Sequence, residues 1–179
     1  VAVRRQRQMC IRDRIKDIEI LLKKKISNVS QVYWICPLVE ASETQKYKDV
    51  ETRFKSLKNI FGSEVEMLHG KIKSDQKERI IQNFQKGNIK ILVATTVVEV
   101  GIDNKNADYI VIENAEKFGL SQLHQLRGRV GRGNNQGYCF ALYGKDLPDN
   151  TINRLKIFKE NLDGFKLSEK DLEIRGTGD

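Results

Sequence analysis

The sequence predicts an α/β domain in which helices flank a parallel β-sheet. Short apolar runs alternate with longer segments whose apolar residues recur at helical spacing. Strands that alternate with helices in this way form right-handed βαβ crossovers and a parallel sheet. The run over residues 90–95 is almost continuously apolar, as expected for a strand covered on both faces. A chain of 179 residues suffices for one buried domain and a short extension.

The start of the chain follows this plan least well. Residues 1–13 fit no amphipathic period, and we expect a non-native or disordered lead there, with a native basic arm as the alternative. The main domain is predicted over residues 14–148. Residues 149–179 are predicted to form a helical extension that stops in mid-pattern. Both ends of the chain are therefore expected to be cut.

Local patterns place the remaining elements. Helices are expected where apolar residues recur three or four positions apart, and strands where apolar residues run together. Pro37 ends one strand, and Gly62 and Gly87 follow two of the helices. The predicted helices cover residues 14–26, 42–61, 74–86, 122–133 and 150–162. The predicted strands cover residues 31–36, 64–69, 90–95, 108–113 and 137–143.

Composition indicates a soluble cytoplasmic protein. Apolar residues make up 39% of the chain and charged residues 31%, and no run is long enough to span a membrane. The net charge is +8, but residues 1–25 hold nine basic and three acidic residues, so only +2 remains for the rest. Bulk charge therefore says little about a partner of the domain. Cys36 and Cys139 lie in apolar runs and are expected to be buried thiols.

The most informative stretch is residues 122–133, which would form a helix with two faces of opposite chemistry. The apolar face is expected to pack on the sheet and consists of Leu123, Leu126 and Val130. The polar face consists of Gln125, Arg129 and Arg132, with Gly128 and Gly131 leaving space between them. Guanidinium groups fork to anionic oxygens in a fixed geometry, so this face suits phosphoryl groups. The alternative is a surface helix whose arginines are only solvated.

A second stretch, residues 91–103, runs from a buried strand into two threonines and then Gly-x-Asp. In parallel α/β sheets ligands bind beyond the carboxyl ends of the strands. Hydroxyl and backbone N–H groups there can hold phosphates. Ordinary capping by Thr95 and Thr96 is the alternative. The strand that ends at His69 and Gly70 is expected to reach the same edge, where His69 could equally be a hydrogen-bonded loop histidine. Trp34, among apolar neighbours, is expected to pack in the core more readily than to stack on a base.

An absence is equally informative. The sequence has no G-x-x-x-x-G-K-[ST] loop to cradle phosphates and no D-E-x-H/D run to hold a metal ion. Arg129 and Arg132 could stabilise transferring charge, but they cannot assemble a nucleotide site alone. If this face binds a nucleotide, the phosphate loop and the metal ligands must therefore be supplied from outside this chain.

Together these strings resemble the C-terminal RecA-like domain of superfamily 2 helicases, a fold similar to that of P-loop NTPases. Residues 33–40 resemble motif IV, residues 95–103 motif V and residues 122–133 motif VI. The resemblance implies that Arg129 and Arg132 face the γ-phosphate of ATP. It also implies nucleotide contacts by Gln125, Gly101 and Asp103, with Asp103 toward the ribose. Contacts to the nucleic-acid backbone are implied for His69, Gly70, Thr95 and Thr96.

Within that superfamily, the chain resembles the DNA translocases that act on branched DNA in repair and recombination. Residues 163–165 and 171–178 resemble the start of their translocation motif. The resemblance implies ATP and Mg²⁺ as cofactors, with the metal ligands in a missing N-terminal motor half. It implies forked duplex DNA as substrate, a missing wedge domain in cis, no membrane and a monomer. The alternatives are a transcription–repair coupling translocase, an RNA helicase, a non-catalytic RecA-like binding module and an unrelated α/β phosphate binder.

Overall fold

A computed structural model describes residues 15–25, 30–38, 42–95, 104–131 and 136–160, together with the backbone of residues 6–12. Its strands are β1 (Gln6–Arg12), β2 (Gln31–Ile35), β3 (Val65–Leu68), β4 (Ile91–Ala94), β5 (Ala107–Ile112) and β6 (Gly137–Tyr143). Its helices are α1 (Ile15–Lys25), α2 (Lys48–Phe61), α3 (Ser74–Gln85), α4 (Leu120–Arg127) and α5 (Asp149–Glu160). No helix in these ranges is long and apolar enough to cross a membrane.

The six strands form one sheet in the order β1-β6-β5-β2-β4-β3, and every neighbouring pair is parallel. The central strands β2, β4 and β5 are buried along their whole length, because helices cover both faces. The parallel α/β class predicted from the sequence is confirmed.

Alternate side chains of the strands pack into two separate cores, one on each face of the sheet. On one face, side chains such as Trp34 and Val93 pack with Ile18 of α1 and Leu57 of α2. On the other face, strand residues pack with α3, α4 and α5, and Phe84 of α3 is fully buried there. Because successive side chains of a strand point to opposite faces of the sheet, each strand contributes residues to both cores. Trp34 lies in the core, as predicted, and so do Cys36 and Cys139.

The first departure from prediction lies at the start of the chain. Gln6–Arg12 forms strand β1 and pairs in parallel with β6, where a non-native or disordered lead was expected. The edge of a sheet presents a row of unpaired backbone groups, which an extended segment can satisfy whatever its side chains are. Side-chain periodicity could not reveal that pairing. The non-native origin of residues 1–13 and the division of the chain at residue 149 stay predictions.

Two predicted helices are shorter than their patterns indicated. The helix expected from residue 42 begins at Lys48, because residues 43–47 form turns with a hydrogen bond from Gln45 N–H to Ser42 O. The helix expected over residues 122–133 ends at Arg127, and Gly131 has a positive φ of 71°. That left-handed conformation ends the regular turn. The predicted translocation-motif residues 163–179 lie outside the described part of the chain.

Candidate functional site

Helix α4 holds the most informative stretch of the sequence against the sheet. Leu123, Leu126 and Val130 are fully buried in the core beside α5, so the predicted apolar stripe is confirmed. The helix begins after Gly119, whose N–H donates to the side-chain oxygen of Gln122 at 3.0 Å. This bond satisfies one of the backbone donors near the helix start.

The turn after α4 carries the first predicted phosphate ligand. Gly128 and Arg129 donate backbone N–H bonds to His124 O and Leu126 O, at 3.0 and 3.1 Å. Arg129 is half-buried in this turn, whereas Gln125 is exposed on α4. The predicted helical face of Gln125, Arg129 and Arg132 is therefore wrong, since Arg129 lies beyond the end of the helix. Arg132 lies outside the described residues.

Close backbone packing fixes this turn at the amino end of β6. A Cβ atom built on Gly137, the first residue of β6, would lie 2.8 Å from both Cα and N of Gly131. A Cβ atom does not approach nonbonded backbone atoms that closely, so glycine is required at residue 137. The same atom built on Gly128 meets only ordinary contacts at 3.5 Å. Close approach of the backbones was expected at Gly128 and Gly131. It occurs at Gly131, against Gly137, and not at Gly128.

Sequence reasoning missed Arg127, which is only 2% exposed. Its guanidinium donates to Phe158 O of α5 at 3.1 Å and lies 2.6 Å from Nδ1 of His124. It also lies over the Phe158 ring, 4.8 Å from the ring centroid. Burial lowers the pKa of Arg127 from its usual value. The available signal was its position four residues after Leu123, inside the buried stripe.

Two of the predicted nucleic-acid contacts meet at the carboxyl edge of the sheet. His69 follows β3 and Thr95 follows β4, and the register that pairs Leu68 with Ala94 places them side by side. Thr95 is 1% exposed, and its hydroxyl has no hydrogen-bond partner among the described residues. A buried hydroxyl without a partner is costly, so this atom suits a ligand oxygen.

The His69 turn is held from two sides. The backbone N–H of Lys71 donates to His69 Nδ1 at 3.2 Å, and the ring of Tyr47 stacks on the imidazole with centroids 4.4 Å apart. Gly70 is exposed, and its carbonyl accepts from Lys77 Nζ at 3.5 Å. Lys71 Nζ donates to Glu43 O at 2.9 Å. Two lysine side chains, Lys71 and Lys77, therefore lie at this turn. Thr96 lies outside the described residues.

The candidate ligand residues that the structure describes lie on two opposite edges, whereas the sequence indicated only the carboxyl edge, for His69 and the threonines. His69, Gly70 and Thr95 follow the carboxyl ends of β3 and β4. Arg129 lies near the amino end of β6, because α4 returns the chain across the sheet. Asn104, just before β5, also lies at the amino edge, and Gly101 and Asp103, shortly before it in the chain, lie outside the described residues.

A separate polar cluster lies at the carboxyl ends of β2 and β5. Glu113 pairs with the guanidinium of Arg53, which also lies 5.5 Å from the Trp34 ring centroid. Cys36 Sγ donates to Glu113 Oε2 at 3.6 Å. Burial raises the pKa of Glu113, although Arg53 acts in the opposite direction. Glu113 and Arg53 border a cavity of about 370 Å³ to which sequence reasoning assigned no role.

Comparison with known proteins defines the class. The family described as helicase conserved C-terminal domain matches residues 13–134, and this chain belongs to that family. The C-terminal domain of the DEAD-box protein Dbp5 has a similar structure, with a TM-score of 0.60 over 89% of this chain and 84% of that one. At 20% identity that likeness shows the fold alone. The predicted RecA-like helicase fold is thus confirmed.

The particular relatives are RecG proteins. The string Trp-Ile-Cys-Pro-Leu-Val-Glu at residues 34–40 also resembles RecG more than it resembles the related translocase Mfd. The chain is 51% identical to the ATP-dependent DNA helicase RecG of Borreliella burgdorferi over 158 residues, which are 88% of this chain and 23% of that protein. RecG of Treponema pallidum is 46% identical over 87% of this chain and 23% of its own length. A structure of RecG bound to a three-way DNA junction matches 98% of this chain and 22% of that one, with 36% identity and a TM-score of 0.79. The chain therefore spans about a quarter of the relatives that it matches.

Proposed function

We propose that this chain is the C-terminal motor half of an ATP-dependent DNA helicase of the RecG type. The whole protein would act on branched DNA, reversing forks and migrating Holliday junctions in repair and recombination. It would work as a cytoplasmic monomer. The observation that carries this proposal is the position of candidate ligand residues at opposite edges of one parallel sheet, with Arg129 at one edge and Thr95 at the other.

At the amino edge we assign Arg129 and Arg132 to the γ-phosphate of ATP. The half-buried position of Arg129, on a turn fixed by Gly131 and Gly137, suits a guanidinium that stabilises charge without large reorganisation. Gln125, Gly101 and Asp103 would contact the nucleotide, with Asp103 toward the ribose. The chain has no phosphate loop, so the missing N-terminal motor half would hold Mg²⁺ and the remaining phosphates.

At the carboxyl edge we assign His69, Gly70, Thr95 and Thr96 to the backbone of duplex DNA. Strand β4, which separates the two edges, has four residues and is about 13 Å long. Because the sheet is rigid, closure of the amino edge on ATP would move the carboxyl edge as one body along the duplex. The wedge domain in cis would then convert that movement into strand separation at the branch.

A threonine substitution tests this assignment. We expect Thr95→Val, in the protein that also carries the upstream motor half, to weaken binding to forked DNA about tenfold, since one hydrogen bond to an anionic oxygen is lost. ATP hydrolysis without DNA should stay unchanged. Valine keeps the buried shape, so the folded domain should not lose stability.

The matched control is Thr52→Val, on an exposed position of α2. Fluorescence anisotropy with a labelled fork measures the affinity, and a coupled assay measures hydrolysis. Unchanged fork affinity in Thr95→Val, or an equal loss in both variants, would contradict the assignment of the carboxyl edge to DNA.

A further inference from the structure

Tyr47 lies against the His69 turn at the carboxyl edge of the sheet. It comes immediately before α2, and its carbonyl accepts the backbone N–H of Glu51 in the first turn at 3.0 Å. Its ring is half-buried and packs against the core that α1 and α2 cover. Tyr47, to which sequence reasoning assigned no role, is therefore an anchored ring beside a candidate DNA contact.

Two contacts hold the imidazole of His69 in different directions. The backbone N–H of Lys71 donates to Nδ1 at 3.2 Å, which fixes one ring atom but lets the ring turn about that bond. The Tyr47 ring lies on the face of the imidazole, with centroids 4.4 Å apart and planes inclined by 23°. A stacked ring opposes that rotation, because rotation would break the contact between the two faces. Together the two contacts set the position of the imidazole and its plane.

The same contacts determine which group His69 presents to a ligand. Because Nδ1 accepts a hydrogen bond, the neutral ring carries its proton on Nε2, which is then the donor. His69 is only 6% exposed, and the neighbouring Thr95 has a buried hydroxyl without a partner among the described residues. Binding groups contribute fully only when their orientation is fixed by the residues that support them. The stack with Tyr47 therefore decides the direction of the Nε2–H bond.

Lysine side chains add positive charge around the same stack. Lys46 Nζ lies 5.9 Å and Lys71 Nζ 5.5 Å from the centroid of the Tyr47 ring. The face of an aromatic ring attracts cations, so the ring favours ammonium groups at this position. An imidazole donor and two ammonium groups in one small area suit the phosphates of a nucleic-acid backbone.

We propose that Tyr47 is a positioning residue for binding of the DNA backbone at the carboxyl edge. Its ring sets the plane of His69 and so directs the Nε2–H donor toward the phosphate, without touching DNA itself. The inference rests on the proposed function, because the DNA contact of His69 belongs to it. It adds a residue outside the helicase motifs and makes fork affinity depend on an aromatic ring at residue 47.

Anisotropy of a labelled fork tests the inference in the protein that carries the upstream motor half. Tyr47→Leu keeps apolar bulk but removes the stack, whereas Tyr47→Phe keeps the stack. We expect Tyr47→Leu to weaken fork affinity about fivefold and Tyr47→Phe to stay within about twofold of the unaltered protein. His69→Ala should weaken affinity about tenfold. Tyr47→Leu should have no further effect in the His69→Ala protein, because it acts through the imidazole.

The control variant is Phe54→Leu. Phe54 is a half-buried aromatic residue of α2, with Lys58 Nζ 5.1 Å from its ring centroid, and its replacement should leave fork affinity unchanged. Equal losses in Tyr47→Leu and Tyr47→Phe, or additive losses from Tyr47→Leu and His69→Ala, would overturn the inference. A lower melting temperature of Tyr47→Leu with unchanged fork affinity would show a purely structural ring and also overturn it. If His69→Ala and Thr95→Val both leave fork affinity unchanged, the proposed function fails at this edge, and the inference fails with it.

Discussion

Cys36 and Glu113 show how burial controls chemistry at single residues. The thiol is fully buried and donates to the Glu113 carboxylate. Burial, followed by the negative charge of Glu113, raises the pKa of Cys36 well above its usual value. A thiol in this environment stays protonated and is a poor nucleophile, because the thiolate is the reactive form. The thiol therefore contributes to packing.

We expect Cys36 and Cys139 to resist alkylation in the folded protein. Both are buried, so iodoacetamide at pH 8 should modify them at least about a hundredfold more slowly than it does in urea. Timed quenching followed by peptide mass spectrometry resolves the two sites, and the same peptides in urea give the reference rate. Modification of native Cys36 at the denatured rate would contradict its burial.

At the residue scale, the sequence predicted buried positions well and polar partners poorly. The spacing of Leu123, Leu126 and Val130 identified a buried stripe correctly. Arg127 has the same spacing, but its charge argued against a place in the core. In the structure, the carbonyl of Phe158 and the ring of His124 stabilise it there. Those partners come from sequence separations of up to 31 residues, which local spacing cannot reveal.

Helix α4 and strand β6 form a pair of elements whose contact depends on glycine. We expect Gly137→Ala to destabilise the domain by about 1–3 kcal/mol, since the new methyl group would overlap the backbone of Gly131. The clash would also displace the Arg129 turn, so ATPase should fall more than stability alone explains. Urea unfolding and a coupled ATPase assay measure the two effects.

The matched variant is Gly128→Ala. Its φ of −68° suits any residue, and a new Cβ meets only contacts of 3.5 Å. We expect a change in stability within about 1 kcal/mol. Equal tolerance of alanine at residues 128 and 137 would show that the two backbones are farther apart than described here.

Helices α4 and α5 are joined by the buried guanidinium of Arg127. We expect Arg127→Met to lower the free energy of unfolding by about 1–3 kcal/mol, because the hydrogen bond to Phe158 O is lost while methionine can still pack on the ring. Urea denaturation measures the change. Lys156→Met, at an exposed position of α5, is the control and should have little effect. A loss no larger than that of the control would show that this contact does not hold α5 in place.

At the element scale, regular hydrophobic patterns predicted the strands and the helix cores, and backbone effects set the ends. The predicted strand over residues 137–143 agrees with β6 at both ends. Helix α4 ends at Arg127 although its apolar spacing continues to Val130, and the turn that follows packs Gly131 against Gly137 of β6. Strand β1 depends on pairing with β6, which no pattern within residues 6–12 encodes. Element type therefore follows from local sequence, whereas element ends follow from contacts.

At the scale of the whole molecule, connectivity determines which ligand sites face each other. The sequence identified His69, Thr95 and Arg129 as candidates but not their distribution over two edges. That distribution follows from the return of α4 across the sheet before β6, and from the pairing of β3 with β4. In the proposed function, this separation would let closure on the nucleotide at one edge become movement along DNA at the other.

The central claim is that the Arg129 turn completes an ATP site formed with an upstream motor half. The most direct measurement is DNA-stimulated ATP hydrolysis by Arg129→Ala in the protein that carries both halves, beside Arg132→Ala and the exposed control Arg79→Ala. We expect kcat to fall by about 10³ or more in the first two variants, with fork binding nearly intact and Arg79→Ala unaffected. Wild-type turnover in Arg129→Ala and Arg132→Ala would contradict the account.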